Sequence, residues 1–452
     1  MIKIQKSFSE QLVRLRRHFS VFIFMIVLGP GCNKIEWPGG KPPAEAYPPD
    51  VAVAWMNMQL RLTRGTMGFN SIVANRSFAY VGLSLYESIA PGIPGYQSIA
   101  SQLSGSLTLP AKEYGKDYYW PASANAALAY ISKNLFANTP ASLVLSIDSL
   151  EADFNSKFQG KDTGKELQRS IAFGRKIAEA IFDWSKTDGG HEAYNNIISN
   201  TYIPPTGAGL WVPTPPGYSK PFHSSWGTNR SFIPGLLDKT QAAPPLSYSE
   251  NPTSDFYKAV NEVYLASQQL SADDSVVAKF WADLPLNYNV PAHAANIVTQ
   301  LILKKKLSLP EAAVLYCKHG IAGNESLIVC FDAKYKYNLV RPVTYIQNVL
   351  GRTTWNPLIP TPPFPEYGSA HAVVSSAFAT VLEDAFGKNF SFTDHTYDHT
   401  YGPRTYSSFE EYAKEAAASR VLGGIHYSFT AKEGLKQGKI VGKEVNRLRF
   451  KK

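Results

Sequence analysis

The sequence predicts an all-α protein whose helices are joined by long loops rich in proline and glycine. Apolar residues recur at helical spacing along most of the chain, whereas the strict alternation typical of strands is scarce. Capping residues and glycine or proline stops divide these stretches into separate helices. The chain has 452 residues, of which 44% are hydrophobic, which suffices for two or three domains or one large helical one.

The apolar pattern starts at residue 51 and predicts helices in two groups separated by a loop region. The first group covers residues 51–65, 75–92, 123–138 and 142–186. A loop region rich in proline, glycine and aromatic residues follows at 202–248. The second group covers 254–269, 292–305 and a helix from residue 308, where Ser308 and Glu311 form a capping box.

The first 50 residues are predicted to direct and tether the protein. Residues 1–31 contain a basic region and then a short apolar run at 19–29, as in a secretion signal, and they end at Gly31. Cys32 follows directly, as at a lipoprotein cleavage site, although plain secretion with an unmodified Cys32 is the alternative. Residues 32–50 are rich in proline and read as a tether. We expect an exported protein of the cell envelope or periplasm that contacts the membrane only through a lipid anchor.

Charge and cysteine content argue against two other classes of protein. The formal net charge is +9, but residues 1–31 carry five basic residues and one acidic residue, so the mature chain keeps only +5. No basic stripe with interleaved aromatic residues is present, and we therefore expect no nucleic-acid partner. Cys317 and Cys330 lie 13 residues apart in one predicted helix, about 20 Å from each other, so no disulfide is expected.

Three short segments in the last quarter of the chain together predict an oxyanion site. They are Lys334–Pro342, Pro365–Ala372 and Ser419–His426. Between them they supply three cations, two imidazoles and a serine at a helix start, namely Lys334, Arg341, Arg420, His371, His426 and Ser369. Each residue alone has an ordinary structural explanation, such as a surface ion pair, a capped helix or a packed histidine.

The chemistry of this set suits a tetrahedral anion such as phosphate or vanadate. Three positive charges face an oxyanion of about −2 near neutral pH. The planar fork of arginine bonds two oxygens at once, while lysine adds a point charge. The helix predicted to start at Ser369 would direct the free N–H groups of Ala370 and His371 at the anion. One imidazole is then available as ligand or nucleophile and the other as acid–base group.

The ordered set resembles the signature of the vanadium-dependent haloperoxidases and of the acid and lipid phosphatases that share their fold, the type 2 phosphatidic acid phosphatase superfamily. That signature is a Lys, six residues and Arg-Pro; then Pro-Ser-Gly-His; then Ser-Arg, five residues and His. The first and third parts fit with the right gaps, and Ser369 and His371 fit the second. Stretches such as DAKYKYNLVRPVTYIQ and SRVLGGIHY extend the resemblance over most of the mature chain.

The resemblance implies a role for each site residue and a fold. His426 would bind vanadium or be the phosphorylated nucleophile, and His371 would be the acid–base residue. The oxyanion oxygens would be bound by Lys334, Arg341, Ser369, the backbone N–H of Ala370, and Arg420. The fold would be two four-helix bundles, with an N-terminal helical region at 51–280 and the bundle that binds vanadate or phosphate at 281–450.

The sequence departs from the family pattern at a few positions. Ala370 replaces the signature glycine, and its backbone N–H should still bind if its φ angle is negative. Thr430 stands where many members carry an Asp that orients the last histidine, so the imidazole is expected to lack a carboxylate partner. Phe331 and Phe364 are the expected pocket residues; the chloride-oxidising enzyme has Trp at the first position and Phe at the second, which leaves the halide open.

Three functions follow from this set of residues. The first is a haloperoxidase that holds vanadate as its cofactor and uses hydrogen peroxide to oxidise a halide. The main alternative is a phosphatase without a cofactor, in which His426 attacks a phosphate ester and His371 protonates the leaving oxygen. A third is a lipoprotein of the cell envelope that binds a ligand but no longer catalyses a reaction.

A second cluster of chemically capable residues, DHTYDH at 394–399, has a competing explanation. On a helix, His395 and His399 would be one turn apart and suited to zinc. The flanking Thr, Gly and Pro residues instead favour a solvated turn. Hydrolase chemistry of the Ser-His-Asp type has no nucleophile elbow to support it.

Overall fold

Fourteen α-helices and one short hairpin make up most of the regular structure of the computed structural model, which describes residues 43–160, 164–199, 201–283 and 288–452. The helices are α1 (Asp50–Gly65), α2 (Ser71–Ile89), α3 (Trp120–Leu135), α4 (Ala141–Gln159), α5 (Gly164–Ser185), α6 (Leu236–Lys239), α7 (Asp255–Gln268), α8 (Ala272–Phe280), α9 (Val290–Lys305), α10 (Leu309–Tyr337), α11 (Pro342–Asn348), α12 (Ala370–Phe386), α13 (Phe409–Leu422) and α14 (Ser428–Asn446). The hairpin pairs β1 (Phe392–Asp394) with β2 (Arg404–Tyr406). The prediction of an all-α protein is confirmed.

The N-terminal helices pack around α2, α3 and α5, and α2 also lies along α10. The continuous stretch predicted at 142–186 is two helices, α4 and α5, rather than one. Both predicted regions, 51–280 and 281–450, belong to one compact unit, and the boundary between the two bundles stays a prediction.

The C-terminal half packs α12 against α10, α13 and α14. The closest approach is at Gly438 of α14, where a Cβ atom would lie 2.1 Å from the carbonyl oxygen of Val373 on α12. Only glycine permits that separation, so the two helices are held nearly backbone to backbone. This packing fixes the start of α12 relative to the start of α14, where predicted site residues lie.

Helix-start signals were mostly predicted correctly. Ser308 and Glu311 form the predicted capping box at α10. At α13 the Ser408 hydroxyl accepts from the Glu411 N–H at 3.1 Å. Thr430 lies inside the first turn of α14, which starts at Ser428. Helices α6, α8 and α11 were not predicted.

The DHTYDH segment is a strand end followed by a turn, not a helix. Asp394 is fully buried at the end of β1, whereas His395 is exposed and pairs with Asp398 at 2.9 Å. In the described ranges, no group of His, Cys, Asp and Glu side chains is arranged to hold a metal ion. The solvated-turn interpretation therefore fits His395 but not Asp394.

The remaining predictions concern cysteines and the membrane. Cys317 and Cys330 are both free and buried in α10, as predicted. Across the ranges that the structure covers, no helix is both long enough and apolar enough to cross a bilayer. The leader, Cys32 and the tether up to residue 42 lie outside the described residues.

Candidate oxyanion site

The three predicted segments meet around one buried point. Lys334 is in the last turn of α10, Arg341 precedes α11, Ser369 precedes α12, Arg420 is in the last turn of α13, and His426 lies between α13 and α14. None of these five residues is more than 4% exposed. We call these five residues the oxyanion cage.

The turn after α13 connects two members of the cage. The Ile425 and His426 N–H groups donate to the Arg420 carbonyl at 3.1 and 3.3 Å. Gly424 has a φ of +78°, which residues with a side chain rarely adopt. The double glycine therefore reverses the chain tightly enough to bring His426 back beside Arg420.

Arg341 is held in the cage by backbone carbonyls. Its Nε donates to the Phe364 carbonyl at 3.0 Å, and Nη1 donates to the Ile425 carbonyl at 2.9 Å. The same Nη1 lies 3.3 Å from His426 Nε2. Its Nη2 is buried without a partner. The hydrogen bonds from Nε and Nη1 thus fix the orientation of the guanidinium, while Nη2 remains available to bond a ligand.

Lys334 supports the loop before α12. Its Nζ donates to the carbonyls of Pro365, Glu366 and Gly368 at 3.0, 3.1 and 2.6 Å. All three donors are used, so in this structure Lys334 shapes the loop that leads to Ser369 and contributes its charge to the cage.

His426 has a carboxylate partner that the sequence analysis missed. Its Nδ1 lies 2.8 Å from Glu366 Oε1, and Glu366 is fully buried. Since the guanidinium of Arg341 can only donate, His426 Nε2 must accept from it, and Nδ1 carries the proton given to Glu366. This tautomer leaves the Nε2 lone pair directed into the cage.

The expectation that Thr430 leaves the imidazole without a carboxylate is therefore wrong. The carboxylate comes from the loop before α12, and the Thr430 hydroxyl donates to Glu366 Oε2 at 2.9 Å. The Tyr427 N–H donates to Oε1 at 3.0 Å, so Glu366 accepts from three groups. An acidic residue within the otherwise apolar PFPEYG stretch was the available signal, but only the fold shows that it faces His426.

The cage is positively charged at neutral pH. Burial lowers the pKa of Lys334 to about 8, of Arg341 to about 10 and of Arg420 to about 9, all of which leave the cation protonated at pH 7. Burial raises the pKa of Glu366, while Arg341 and the donated hydrogen bonds oppose that rise. Lys334 and Arg341 act on Glu366, and Arg420 is acted on by Asp283, so three buried cations outnumber two carboxylates. An excess of buried positive charge favours an anion.

Several polar atoms of the site are buried and lack any partner. They are Arg341 Nη2, Ser369 Oγ, His371 Nε2 and Arg420 Nε. Ser369 occupies the cap position of α12 without capping it, contrary to the prediction, so its hydroxyl remains free. Buried polar groups are normally bonded, and a convergent unpartnered set indicates a missing ligand. The Arg341, Ser369 and Arg420 groups can donate to the oxygens of a tetrahedral oxyanion such as vanadate, whereas Nε2 of a neutral His371 that donates from its other ring nitrogen to the Trp281 backbone can only accept.

The first turn of α12 contributes the remaining predicted groups. Ala370 opens the helix and is not among the residues with positive φ, so its N–H is presented as the signature glycine would present it. His371 follows, and burial together with the Arg420 charge lowers its pKa well below the usual value. His371 is therefore neutral at pH 7, and its Nε2 can take up a proton.

An apolar cavity of about 350 Å³ opens onto the cage. Phe331 and Phe364 line it and contact each other with ring centroids 5.3 Å apart. His371, Arg420 and His426 reach its wall. The cavity is of a size that accommodates a small organic molecule beside the cage.

The hydrogen bond from Thr430 to Glu366 predicts the effect of replacing Thr430 by an acid. Thr430→Asp would place a second carboxylate against Glu366. We expect the variant to lower the free energy of unfolding by about 1–3 kcal/mol, because a donor is lost and two buried acids meet. Urea denaturation measures the change, and Thr430→Ser, which keeps the hydroxyl, is the control. Unchanged stability in the Asp variant would contradict the Glu366–Thr430 contact.

Comparison with known proteins agrees with the site. The family model described as VCPO second helical-bundle domain matches residues 314–451, which contain all five cage residues. No curated protein matches the chain by sequence.

Solved structures match over nearly the whole chain. A bacterial vanadium-dependent iodoperoxidase is 31% identical, with a TM-score of 0.78 over 89% of this chain and 96% of that one. The apo and holo forms of a bacterial vanadium-dependent chloroperoxidase are each 16% identical, with TM-scores of 0.64 and 0.62, covering 84% and 87% of this chain and 94% and 93% of theirs. The chloroperoxidases show the fold alone, whereas the iodoperoxidase match is close enough to show the family. This chain belongs to the vanadium-dependent haloperoxidase family.

Proposed function

We propose that this protein is a haloperoxidase that binds vanadate in the oxyanion cage and oxidises a halide with hydrogen peroxide. The observation that carries the proposal is the set of buried, unpartnered polar atoms on Arg341, Ser369, His371 and Arg420 around the Nε2 lone pair of His426, which accepts from Arg341 Nη1 at 3.3 Å. These groups have no role in the fold that accounts for their burial without partners.

Each residue of the site would have its own role in this reaction. His426 Nε2 would be the ligand to vanadium, with Glu366 fixing its tautomer and raising its basicity. Arg341, Arg420, Ser369 and the Ala370 N–H would hold the oxygens. Bound vanadate would act as a Lewis acid that activates hydrogen peroxide without changing the oxidation state of the metal. His371, neutral at pH 7, would take up the proton that hydrogen peroxide releases.

We propose iodide as the preferred halide. Phe331 and Phe364 give the cavity beside the cage an apolar wall. Iodide is the most weakly hydrated and most easily oxidised of the three common halides, so an apolar site costs it least. The iodoperoxidase that matches at 31% identity supports this choice.

The deciding experiment uses one metal-free preparation, assayed with and without added vanadate. We expect iodide oxidation by hydrogen peroxide to appear only with vanadate. Bromide and chloride in parallel assays rank the halides. If no halide is oxidised under any of these conditions, the proposal is wrong.

A phosphatase is the second candidate, because the Glu366–His426 pair would equally prepare Nε2 to attack phosphorus. His371 would then protonate the leaving oxygen, and no cofactor would be needed. The same preparation distinguishes the two functions. A phosphatase would hydrolyse an aryl phosphate without vanadate and lose that activity when vanadate is added, whereas a haloperoxidase would gain halide oxidation. A chain that binds vanadate and does neither would be the binding protein considered from the sequence.

Arg341 and Arg420 should each be intolerant of lysine. A lysine keeps the charge but cannot bond a backbone carbonyl and the oxyanion from one planar group. We expect each substitution to cost about 2–4 kcal/mol in kcat/KM for halide oxidation, as loss of an oxyanion donor does. Steady-state kinetics at saturating vanadate measure the loss.

The matched control for both variants is Arg76→Lys. Arg76 is also a buried arginine, but it pairs with Asp188 at 2.7 Å and lies outside the cage. We expect this variant to lose stability while its kcat/KM stays close to that of the wild type. Full activity in both cage variants would show that these arginines do not hold the anion.

We also propose that the protein is exported and lipid-anchored at Cys32. The basis is the basic and apolar leader that ends at Gly31-Cys32. Metabolic labelling with a fatty acid should mark the wild type and not Cys32→Ser. An unlabelled wild type found in the soluble periplasmic fraction would favour plain secretion.

A further inference from the structure

A buried histidine outside the signature segments lies between two carboxylates. His293, on α9, is 1% exposed. Its Nδ1 lies 2.9 Å from Asp283 Oδ1 and its Nε2 lies 2.7 Å from Asp394 Oδ2. Both ring nitrogens face acceptors, so the ring is an imidazolium that donates to both. Burial alone would lower the pKa of His293, but the two carboxylates outweigh it and raise the pKa to about 10.

The same histidine also packs on a tryptophan. The Trp281 ring stacks on the His293 ring with centroids 5.2 Å apart and an interplanar angle of 30°. Trp281 Nε1 donates to Glu415 at 2.9 Å, and the Tyr397 hydroxyl donates to Asp283 Oδ1 at 2.7 Å. The segment Trp281–Asp283 is thus held at both ends: the Trp281 ring stacks on His293, and the Asp283 carboxylate bonds the His293 ring and the Tyr397 hydroxyl.

This segment reaches the oxyanion cage through the Trp281 carbonyl and through the Asp283 carboxylate, whose charge acts on Arg420. Trp281 follows the last residue of α8, so its carbonyl is not used within that helix. It accepts from Arg420 Nη1 at 2.9 Å, and the Trp281 backbone also forms a hydrogen bond with the His371 ring. One carbonyl therefore orients both an anion-binding arginine and the acid–base histidine.

We propose that His293 is a positioning residue for the oxyanion cage, acting through the segment Trp281–Asp283, whose Trp281 carbonyl orients Arg420 and His371. We call Asp283, His293 and Asp394 the His293 clamp. The inference rests on the proposed function insofar as the cage binds an oxyanion. The clamp draws on α9 and β1, so elements far from the signature segments in sequence set the geometry of the site.

The test measures the affinity of the metal-free protein for phosphate and for vanadate by calorimetry. In His293→Gln the amide cannot bridge both carboxylates or stack as the ring does. We expect both affinities to fall by about tenfold, as for loss of other outer-shell partners. In Asp394→Asn the amide can donate to a neutral His293 ring, whose Nδ1–H still bonds Asp283. This conservative variant should keep both affinities within about threefold of the wild type.

A second buried histidine provides the matched control. His319 is 2% exposed, stacks on Phe378 at 4.1 Å and bonds the Pro291 backbone, and neither partner is a cage or clamp residue. His319→Gln should lower stability toward urea without changing either affinity. Equal losses of affinity in His319→Gln and His293→Gln would mean that general packing is at work, and would overturn the inference.

The remaining outcomes separate this inference from the proposed function. Wild-type affinities in a folded His293→Gln overturn the clamp alone. If His293→Gln binds phosphate more weakly and the wild type oxidises no halide, the clamp is supported and the proposed haloperoxidase function is overturned. A wild type that binds neither anion overturns both. If His293→Gln does not fold, the double variant His293→Gln with Asp394→Asn decides, because it removes the imidazolium together with one of the two carboxylates that would lose their partner. Unchanged phosphate and vanadate affinity in that variant overturns the clamp.

Discussion

His426→Ala is expected to lower vanadate affinity by at least about 100-fold, equivalent to about 2.7 kcal/mol. The Nε2 lone pair of His426 is the only ligand in the cage directed to bond the metal itself, because the other contacts are hydrogen bonds to oxygens. The fold should survive, because Glu366 keeps the donors from Tyr427 and Thr430. Calorimetry with vanadate and with phosphate measures the effect.

Phosphate provides the internal comparison for this variant. Phosphate at equilibrium is held by charge and hydrogen bonds alone, so its affinity should fall much less than that of vanadate. The control substitution is His319→Ala, which removes a buried imidazole remote from the cage. Vanadate affinity within about threefold of the wild type would show that His426 is structural and that the assignment of the site is wrong.

Glu366→Gln should lower the ratio of vanadate to phosphate affinity by about 10- to 100-fold. Two effects oppose each other in this variant. Loss of the carboxylate reduces the basicity of the His426 ring and weakens its bond to vanadium. Loss of a negative charge beside Lys334 and Arg341 also increases the attraction of the cage for any anion. The second effect acts on both anions, so it cancels in the ratio, whereas the first acts on vanadate alone.

The glutamine variant keeps the shape of the site, which makes the result interpretable. The amide oxygen can accept from His426 Nδ1 and Tyr427 N–H as Oε1 does, and the Thr430 hydroxyl can turn to accept from the amide nitrogen. Glu325→Gln is the control, since Glu325 is also fully buried but accepts from the Phe232 N–H, away from His426. An unchanged ratio would mean that the charge of Glu366 does not act on the imidazole.

The sequence by itself determined most of the longer helices, the family resemblance and most of the cage. Apolar spacing and capping residues are local signals, and they were sufficient for α1 to α3, α7, α9, α10, α12 and α13. The spacing of Lys334 and Arg341, and of Arg420 and His426, is also local, because each pair lies on one short stretch of chain. Ordered signature residues therefore pointed to an oxyanion before any coordinates were known.

Only the tertiary structure decided which groups orient those residues. Glu366 reaches His426 from a loop 60 residues away in sequence, and His293 meets Asp394 across a separation of 101 residues. Neither pair leaves a periodic or local pattern, because a hydrogen bond between distant segments depends on how α12, α14 and α9 pack. Thr430 illustrates the difference: its position in the chain suggested a missing carboxylate, whereas the packing of α12 against α14 had already supplied one.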